Sequence, residues 1–247
     1  MSESENVAPF VSVVVPTLQE GRYLSRCLTS LTQQSYPHYE IIIVDGGSTD
    51  DTLAIAQAFG VKLLLAPEST VVTARQLGAE IASGTIIAGA DADTFYPVDY
   101  IAHVVADFAR DTRIVAVGGV GVFEPEPWWC YQIWIFTYFI NTTLYQLTGK
   151  VGYVAASNFA YTKAAFEQVG GYTTYLEVGG DELDMLGKLK KAGTVLYDAQ
   201  LIVYPSSRRA RNGFFSYYLR FGIIGYALGY FLSRKFKRIV IKYTPVR

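Results

Sequence analysis

The chain has 247 residues, of which 51% are hydrophobic and 17% are charged. This composition is too apolar for a disordered protein and is sufficient for one α/β domain with a substantial core. The charge is unevenly distributed, because residues 199–247 hold ten Lys or Arg and no Asp or Glu, whereas residues 1–198 hold eleven basic and 22 acidic residues. The basic C-terminal part predicts anionic partners such as lipid headgroups or phosphates.

Residues 1–9 are polar and acidic, and they lack the basic start and apolar run of a signal peptide. We expect them to form a short mobile tail. Cys27 and Cys130 show no metal-ligand spacing. Two free thiols in a reducing compartment are therefore expected rather than a disulfide.

Short apolar strands alternate with amphipathic helices along the first half of the chain. The predicted strands cover residues 11–15, 41–44, 61–65 and 85–90, and the predicted helices cover residues 21–34, 50–59, 72–82 and 97–109. Such alternation is typical of a parallel sheet with helices on both faces. Right-handed connections place the strand ends along one edge of the sheet, and ligands bind outside that edge.

Acidic residues follow two of these strands. Asp91-Ala92-Asp93 follows the fourth strand, on a loop where two carboxylates can converge on a hard cation such as Mg²⁺ or Mn²⁺. A cation held there would bridge a diphosphate and carry the charge of a departing nucleotide. Asp45 ends the second strand before two glycines, and it can accept hydrogen bonds from a base or a ribose. The alternative for this loop is a turn in which Asp50 caps the next helix.

Two other nucleotide-binding patterns are missing from the sequence. No strand is followed by the glycine pattern of a dinucleotide-binding fold, and no P-loop pattern occurs. These classes are therefore excluded, and we expect no nucleic-acid partner.

The second half of the chain has a different pattern. Strands are predicted at residues 114–122, 157–162, 195–197 and 201–204, with a short helix at 163–169, a Gly170-Gly171 turn and an acidic helix start at Asp181. Between them, residues 127–149 contain no charged residue and many Trp, Tyr and Phe. A second apolar run, at residues 214–232, contains Arg220 as its single charged residue and lies between basic clusters.

Six stretches carry a resemblance to a known family. They are VSVVVPTLQE, IIIVDGGSTDDT, TARQLGAEIASG, ADADT, ASNFAYTKAAFEQVGGY and GGDELDMLGKLKKAG. In this order and spacing they resemble the family 2 inverting glycosyltransferases, which have the GT-A fold, over residues 11–204. The resemblance implies a UDP- or GDP-linked sugar donor, Mg²⁺ or Mn²⁺ as cofactor, and inversion at the anomeric carbon. The implied activity is that of a hexosyltransferase.

The resemblance also implies roles for individual residues. The implied donor-binding residues are Pro16, Thr17, Glu20, Asp45, Arg75, Asp91 and Ala92, and the implied metal ligands are Asp91 and Asp93. Within this set Asp45 would hold the base or ribose, and Arg75 would lie near the donor. The alternative for Arg75 is an exposed helix arginine without a role in binding.

An acidic pair is the candidate for the catalytic base. Asp181-Glu182 stands where the family usually has Glu-Asp, so that Glu182 replaces the usual Asp. An inverting transfer needs one general base that deprotonates the acceptor hydroxyl, and either Asp181 or Glu182 can be this base. Alternatively, the pair only begins a helix, where acidic residues interact favourably with the helix dipole. A phosphate acceptor would need no base at all.

Arg208 and Arg209 follow the last predicted strand. Their guanidinium groups could fold over a diphosphate or bind an acceptor phosphate, because arginine matches phosphate oxygens well. The family often has a histidine in this region, whereas this chain has only His38 and His103, which we interpret as ordinary surface residues. The Q-x-x-R-W signature of processive members is missing, so transfer of a single sugar is expected.

The two apolar segments predict contact with a membrane. Basic clusters on both sides of residues 214–232 disfavour a membrane span and favour a helix in the cytoplasmic interface, or a re-entrant hairpin with residues 127–149. Gly225 and Gly229 form a small-residue pair that could pack against another helix. Core packing or a homo-oligomer interface is the alternative for both segments.

These observations predict an α/β protein with a mostly parallel, Rossmann-like sheet of the GT-A type and a C-terminal apolar helical segment. We expect a tail at residues 1–9, a catalytic domain at 10–206 and a membrane-interface segment at 207–247. The predicted function is sugar transfer to a lipid-linked or membrane-proximal acceptor at the cytoplasmic face of a membrane. The alternatives are a polyprenyl-phosphate glycosyl synthase, a nucleotidyltransferase and a non-catalytic membrane adaptor.

Overall fold

The computed structural model describes residues 8–123, 128–176, 180–208, 213 and 230–237. These residues form an eight-stranded sheet in the order β3-β2-β1-β4-β7-β6-β8-β5. The strands are β1 (Val11–Thr17), β2 (Tyr39–Asp45), β3 (Lys62–Leu65), β4 (Ile86–Gly89), β5 (Thr94–Phe95), β6 (Ile114–Gly121), β7 (Phe159–Thr162) and β8 (Thr194–Pro205). The helices are α1 (Leu24–Thr32), α2 (Thr52–Ala58), α3 (Val71–Ile81), α4 (Tyr100–Ala109), α5 (Trp128–Thr148), α6 (Lys163–Gln168), α7 (Asp181–Ala192) and α8 (Tyr230–Phe236).

The first four strands pair in parallel, as their alternation with helices predicted. The second half of the sheet is mixed, since β7 runs antiparallel to both β4 and β6, β8 runs parallel to β6, and β5 pairs antiparallel with the end of β8. The α/β class is therefore confirmed. The antiparallel β7 follows a short 3₁₀ turn, Ala156–Asn158, which brings the chain back into the middle of the sheet.

Two local predictions are wrong in detail. The strands expected at residues 195–197 and 201–204 are one strand, β8, whose pairing with β6 shifts register between them. Asp50 does not occupy the N-cap of α2, which is Asp51. Instead, one Asp50 carboxylate oxygen accepts hydrogen bonds from the amide and the hydroxyl of Thr52, at 3.1 and 2.5 Å, and the other accepts one from the Gly21 amide at 3.0 Å. Asp50 thus ties the start of α2 to the loop before α1.

The sheet has a hydrophobic core on each face. Along β1, Val13 and Val15 belong to the core that includes residues of α1 and α4, whereas Val14 belongs to the core that includes residues of α3 and α7. Successive side chains of a strand point to opposite faces, which explains why the strands are apolar throughout. On the α3 face, Gly78 lies so close to Val14 that an added Cβ would overlap it. This glycine lets α3 approach the sheet and fixes the depth at which Arg75 lies.

Most of the uncharged aromatic segment at residues 127–149 forms one helix, α5, of 21 residues. The predicted hairpin with residues 214–232 stays a prediction, because most of its other arm lies outside the described residues. Among the residues that the structure describes, no helix combines the length and the hydropathy needed to cross a bilayer. Of the second apolar run, residues 214–229 lie outside the described residues, as do Gly225 and Gly229 of the predicted helix-packing pair. The N-terminal tail is described only from residue 8 onwards.

Candidate active site

Asp45 ends β2 and is fully buried. One carboxylate oxygen accepts hydrogen bonds from the amides of Gly47 and Ser48, at 2.9 and 2.7 Å. The other accepts hydrogen bonds from the hydroxyls of Ser48 and Thr17, at 2.6 and 2.9 Å. Both oxygens are therefore used to join the loop after β2 to the end of β1. Contact of Asp45 with a base or ribose stays a prediction.

The two carboxylates of the D-x-D motif lie on the short loop between β4 and β5. The Asp91 amide donates a hydrogen bond to the Tyr96 hydroxyl at 3.0 Å, and this hydroxyl donates to the Ser157 carbonyl at 3.1 Å. Burial raises the pKa of Tyr96 well above its ordinary value, so the phenol stays a neutral donor. Tyr96 therefore connects the acidic loop to the turn before β7. No sequence pattern indicated this role.

Arg75 connects the D-x-D motif to the acidic pair. Its guanidinium donates to Asp181 at 2.5 Å and to Asp91 at 3.0 Å, and its side chain is buried. Burial by itself would lower the pKa of Arg75, but the charges of Asp181 and Asp91 raise it well above its ordinary value. The interpretation of Arg75 as an exposed helix arginine is therefore wrong. The ion pairs bring together residues that lie 16 and 106 positions apart in the sequence.

Glu182 begins α7 beside Asp181 and is buried. Its Oε2 atom has no hydrogen-bond partner among the described residues. Burial and, second, the negative charge of Asp181 raise the pKa of Glu182 well above its ordinary value. The two neighbouring carboxylates thus differ in environment. Asp181 forms an ion pair with Arg75, whereas Glu182 has one oxygen without a hydrogen-bond partner among the described residues and a raised pKa.

Arg208 closes the opposite side of the D-x-D loop. Its guanidinium binds both carboxylate oxygens of Glu20, at 2.7 and 2.6 Å, and its Nε lies 2.8 Å from an Asp93 oxygen. The guanidinium also lies over the Tyr23 ring, 4.8 Å from its centre. Burial raises the pKa of Glu20, and the contact with Arg208 opposes this shift. Glu20, predicted to line the nucleoside pocket, is thus bound to an arginine that follows β8.

The other predicted site residues differ in their accessibility. Pro16 lies in the buried strand β1, and the Thr17 hydroxyl donates a hydrogen bond to Asp45. The Ala92 side chain belongs to the hydrophobic core, so this residue could present only its backbone to a donor. Arg209 lies outside the described residues. The structure therefore forms two ion-pair groups at the D-x-D loop, Asp91–Arg75–Asp181 and Asp93–Arg208–Glu20. Glu182 lies next to the first group, beside Asp181, but belongs to neither.

A second polar cluster lies between α4 and β8, away from these residues in the sequence. His103, Asp107 and Asp198 each offer a ligand atom, and these atoms lie within 4.8 Å of one another. However, the Arg110 guanidinium lies 2.9 Å from an oxygen of Asp107 and 2.9 Å from an oxygen of Asp198, so a cationic group already compensates the two carboxylates. The prediction that His103 is an ordinary surface residue is wrong, because its Nε2 lies 3.1 Å from Asp198.

This cluster makes the stability of the fold depend on pH. Burial and the nearby Asp198 carboxylate raise the pKa of Asp107 to about 6. A carboxyl whose pKa is raised in the folded state stabilises that state below its unfolded value of about 4, and this contribution is lost as the pH rises through about 6. Asp107→Asn is therefore expected to gain stability relative to the wild type between pH 4 and pH 7, by about 1–2 kcal/mol.

Thermal denaturation of both proteins over this pH range measures the difference. Asp111→Asn is the matched control, because Arg113 lowers the pKa of Asp111 to about 2, so that this group titrates below the tested range and its stability difference should stay nearly constant from pH 4 to pH 7. A difference between Asp107→Asn and wild type that does not change with pH would show that folding does not raise the pKa of Asp107.

The first half of the sheet is parallel and has helices on both faces. A D-x-D loop follows β4, and Arg75 joins this loop to an acidic helix start. The chain thus has the GT-A fold of known nucleotide-sugar transferases. The chain belongs to Glycosyl transferase family 2, whose family model matches residues 12–170.

Curated relatives match parts of the chain. A PGL/p-HBAD biosynthesis glycosyltransferase of Mycobacterium bovis is 38% identical over 107 residues, which are 40% of this chain and 41% of the relative. Glycosyltransferase AglE of Haloferax volcanii is 30% identical over 181 residues, 70% of this chain and 59% of the relative. A dolichyl N-acetyl-α-D-glucosaminyl phosphate 3-β-D-2,3-diacetamido-2,3-dideoxy-β-D-glucuronosyltransferase of Methanococcus voltae is 32% identical over 127 residues, 45% of this chain and 39% of the relative. The matches thus span between about two fifths and three fifths of these relatives.

Solved structures share the fold. The mannosyltransferase PcManGT of Pyrobaculum calidifontis, in complex with GDP-Man and Mn²⁺, has a TM-score of 0.65 at 23% identity and covers 81% of this chain and 57% of its own. TarS 1–349 of S. aureus, in complex with UDP, has a TM-score of 0.63 at 18% identity and covers 80% of this chain and 60% of its own. At these identities the likeness establishes the fold alone.

Proposed function

We propose that this chain transfers a single sugar from a UDP- or GDP-linked donor to a hydroxyl group of a lipid-linked acceptor, with inversion at the anomeric carbon. The observation that carries this proposal is the bridge formed by Arg75 between Asp91 and Asp181. This bridge supports the proposal because it joins the D-x-D loop to the acidic helix start, and a direct displacement needs nucleophile and donor to meet in one geometry.

The D-x-D residues fit a divalent cation. Asp91 and Asp93 supply hard carboxylate oxygens. Arg75 lies 3.0 Å from Asp91 and Arg208 lies 2.8 Å from Asp93, so that a bound cation would take over part of these two contacts. A Mg²⁺ or Mn²⁺ ion held by these two residues would supply charge stabilisation to the departing nucleoside diphosphate. Arg208 binds the carboxylates of Glu20 and Asp93. When a donor binds, its phosphate oxygens could replace these carboxylates as partners of the guanidinium, because arginine binds both groups in the same way.

Glu182 is the proposed general base and Asp181 is a positioning residue. Asp181 is already bound to Arg75, whereas one oxygen of Glu182 lacks a partner among the residues described. The raised pKa of Glu182 makes its carboxylate a stronger proton acceptor than an ordinary glutamate. Once deprotonated, it would accept the proton of the acceptor hydroxyl as this oxygen attacks the anomeric carbon, while the bond to the diphosphate breaks.

The lipid-linked acceptor is supported by two observations. The relative from Methanococcus voltae is named for a dolichyl-phosphate-linked acceptor, and the C-terminal part of this chain is strongly basic. Transfer to an acceptor of this kind takes place at a membrane surface, and we propose that it takes place at the cytoplasmic face. If the acceptor were the polyprenyl phosphate itself, Glu182 would not be needed as a base, which makes this alternative testable by mutation of that residue.

A thermal-shift panel of nucleotides and nucleotide sugars tests the proposal. We expect UDP or GDP and their sugars to raise the melting temperature only when Mn²⁺ or Mg²⁺ is present, because ligands that bind the folded state stabilise it. ADP with the same metal and UDP with EDTA are the controls. No shift with any UDP or GDP ligand would contradict donor binding, and release of pyrophosphate during turnover would indicate a nucleotidyltransferase instead.

A further inference from the structure

Helix α5 presents a wide apolar surface to solvent. Its 21 residues include no charged residue. Large apolar side chains recur along it at spacings of one, three and four positions and are exposed: Trp128 (78%), Tyr131 (41%), Ile135 (39%), Phe136 (65%), Phe139 (64%), Ile140 (48%), Leu144 (38%) and Leu147 (80%). We call these eight residues the α5 face. A helix of this length extends for about 30 Å, and apolar patches of such extent on a folded domain indicate a binding surface.

The opposite side of α5 is firmly attached to the domain. The buried Asn141 accepts hydrogen bonds from the amides of Gly152 and Tyr153 and donates one to the Tyr153 carbonyl, at 3.1–3.2 Å. Tyr145 packs edge-on against Tyr197 of β8, with ring centres 5.9 Å apart. The α5 face is therefore exposed on a fixed helix and is not displaced from the core by fraying.

The chain between α5 and the active site is short. The residues held by Asn141 lead directly into the 3₁₀ turn Ala156–Asn158, where the Ser157 carbonyl accepts the hydrogen bond from Tyr96. Tyr96 in turn accepts the hydrogen bond of the Asp91 amide. The position of α5 is thus connected through a few hydrogen bonds to the D-x-D loop.

We propose that the α5 face lies in the headgroup region of an anionic bilayer, parallel to its surface, and so brings the active site to a lipid-linked acceptor. This inference rests on the function proposed above. Trp and Phe on an uncharged helix are suited to this depth of a membrane. A bilayer is the proposed occupant because residues 199–247 carry ten basic residues and no acidic one, which attract anionic lipid. Helix α8 also exposes basic and aromatic side chains that suit an anionic membrane surface, namely Arg234, Lys235 and Phe236.

Vesicle flotation of the full chain tests this assignment. Wild type is expected to float with phosphatidylcholine vesicles that contain phosphatidylglycerol, and the double variant Phe136→Glu/Phe139→Glu is expected to bind them at least about tenfold more weakly, because charge on the α5 face opposes its insertion. The double variant Leu65→Glu/Val98→Glu is the matched control, since both residues are exposed apolar side chains, 59% and 57%, outside α5. It should float like the wild type.

Equal flotation of the α5 variant and the wild type would overturn the proposal. So would a wild type that does not float but forms a dimer which the α5 substitutions dissociate, because the α5 face would then bind a second copy. The melting-temperature increase caused by UDP or GDP with Mn²⁺ is measured on the same variants. If a variant no longer floats but still shows this increase, its defect lies in membrane docking and not in donor binding. If the wild type shows no such increase, the proposed function itself is wrong.

Discussion

Asp93→Asn is expected to reduce sugar transfer by about a hundredfold to a thousandfold, the range found when a principal electrostatic contact of a transition state is removed. Asp93 is one of the two carboxylates proposed to hold the cation, and the amide of Asn would bind that cation far more weakly. The fold should persist, because Arg208 keeps its two hydrogen bonds to Glu20. Initial rates at increasing Mn²⁺ concentration, together with the nucleotide-induced change in melting temperature, measure the effect.

Asp99→Asn is the control for this substitution. Asp99 lies six residues further along the chain, is exposed, and makes no side-chain hydrogen bond at the start of α4. Its rates and its Mn²⁺ dependence should equal those of the wild type. If Asp93→Asn kept the same metal-dependent donor binding, the cation would have to be held elsewhere and the proposed donor site would be wrong.

Glu182→Gln is expected to reduce transfer to a hydroxyl acceptor by about a hundredfold to ten-thousandfold, because a general base contributes this much. Donor binding should be preserved, since Glu182 is not among the residues proposed to contact the diphosphate. The wild-type rate should rise with pH as Glu182 loses its proton, at a pH above the ordinary glutamate range because burial and Asp181 raise its pKa. This rise should be absent in the variant.

The pH–rate profile and the melting temperature with UDP or GDP and Mn²⁺ check these two expectations separately. Glu167→Gln, an exposed glutamate on α6, is the matched control and should change neither. A Glu182→Gln enzyme with unimpaired transfer would exclude Glu182 as the base. In that case the base would be Asp181, or the acceptor would be a phosphate, which needs no proton acceptor.

Much of the fold follows from local patterns. The strands β1–β4 and the helices between them are visible in the sequence as short apolar runs, and the inner strands β1, β2 and β4 are largely apolar because both of their faces are covered. The turn at Gly170 and Gly171 was also predicted, and both residues have positive φ angles, +76° and +65°. The direction of β7 and the continuity of β8 were not visible, because pairing depends on partners that are distant in the sequence.

The candidate site was predicted in part. The D-x-D motif and the acidic pair were found from their residue types and their positions after a strand and at a helix start. The environments that distinguish Asp181 from Glu182 could not be found in this way, since they depend on Arg75, which lies 106 positions from Asp181. The ion pair between Glu20 and Arg208, 188 positions apart, and the cluster at His103 left no local signal either.

The sequence by itself determined the α/β class, the family resemblance and the residue types at the sheet edge, because these are encoded in short apolar runs and in motifs a few residues long. The tertiary structure alone decided which carboxylate is neutralised and which has an oxygen without a partner. It also decided which side of the uncharged helix α5 is exposed. The physical reason is that burial and ion pairing are properties of the surroundings that distant segments create, and these surroundings, rather than residue type, set the pKa and the accessibility of a side chain.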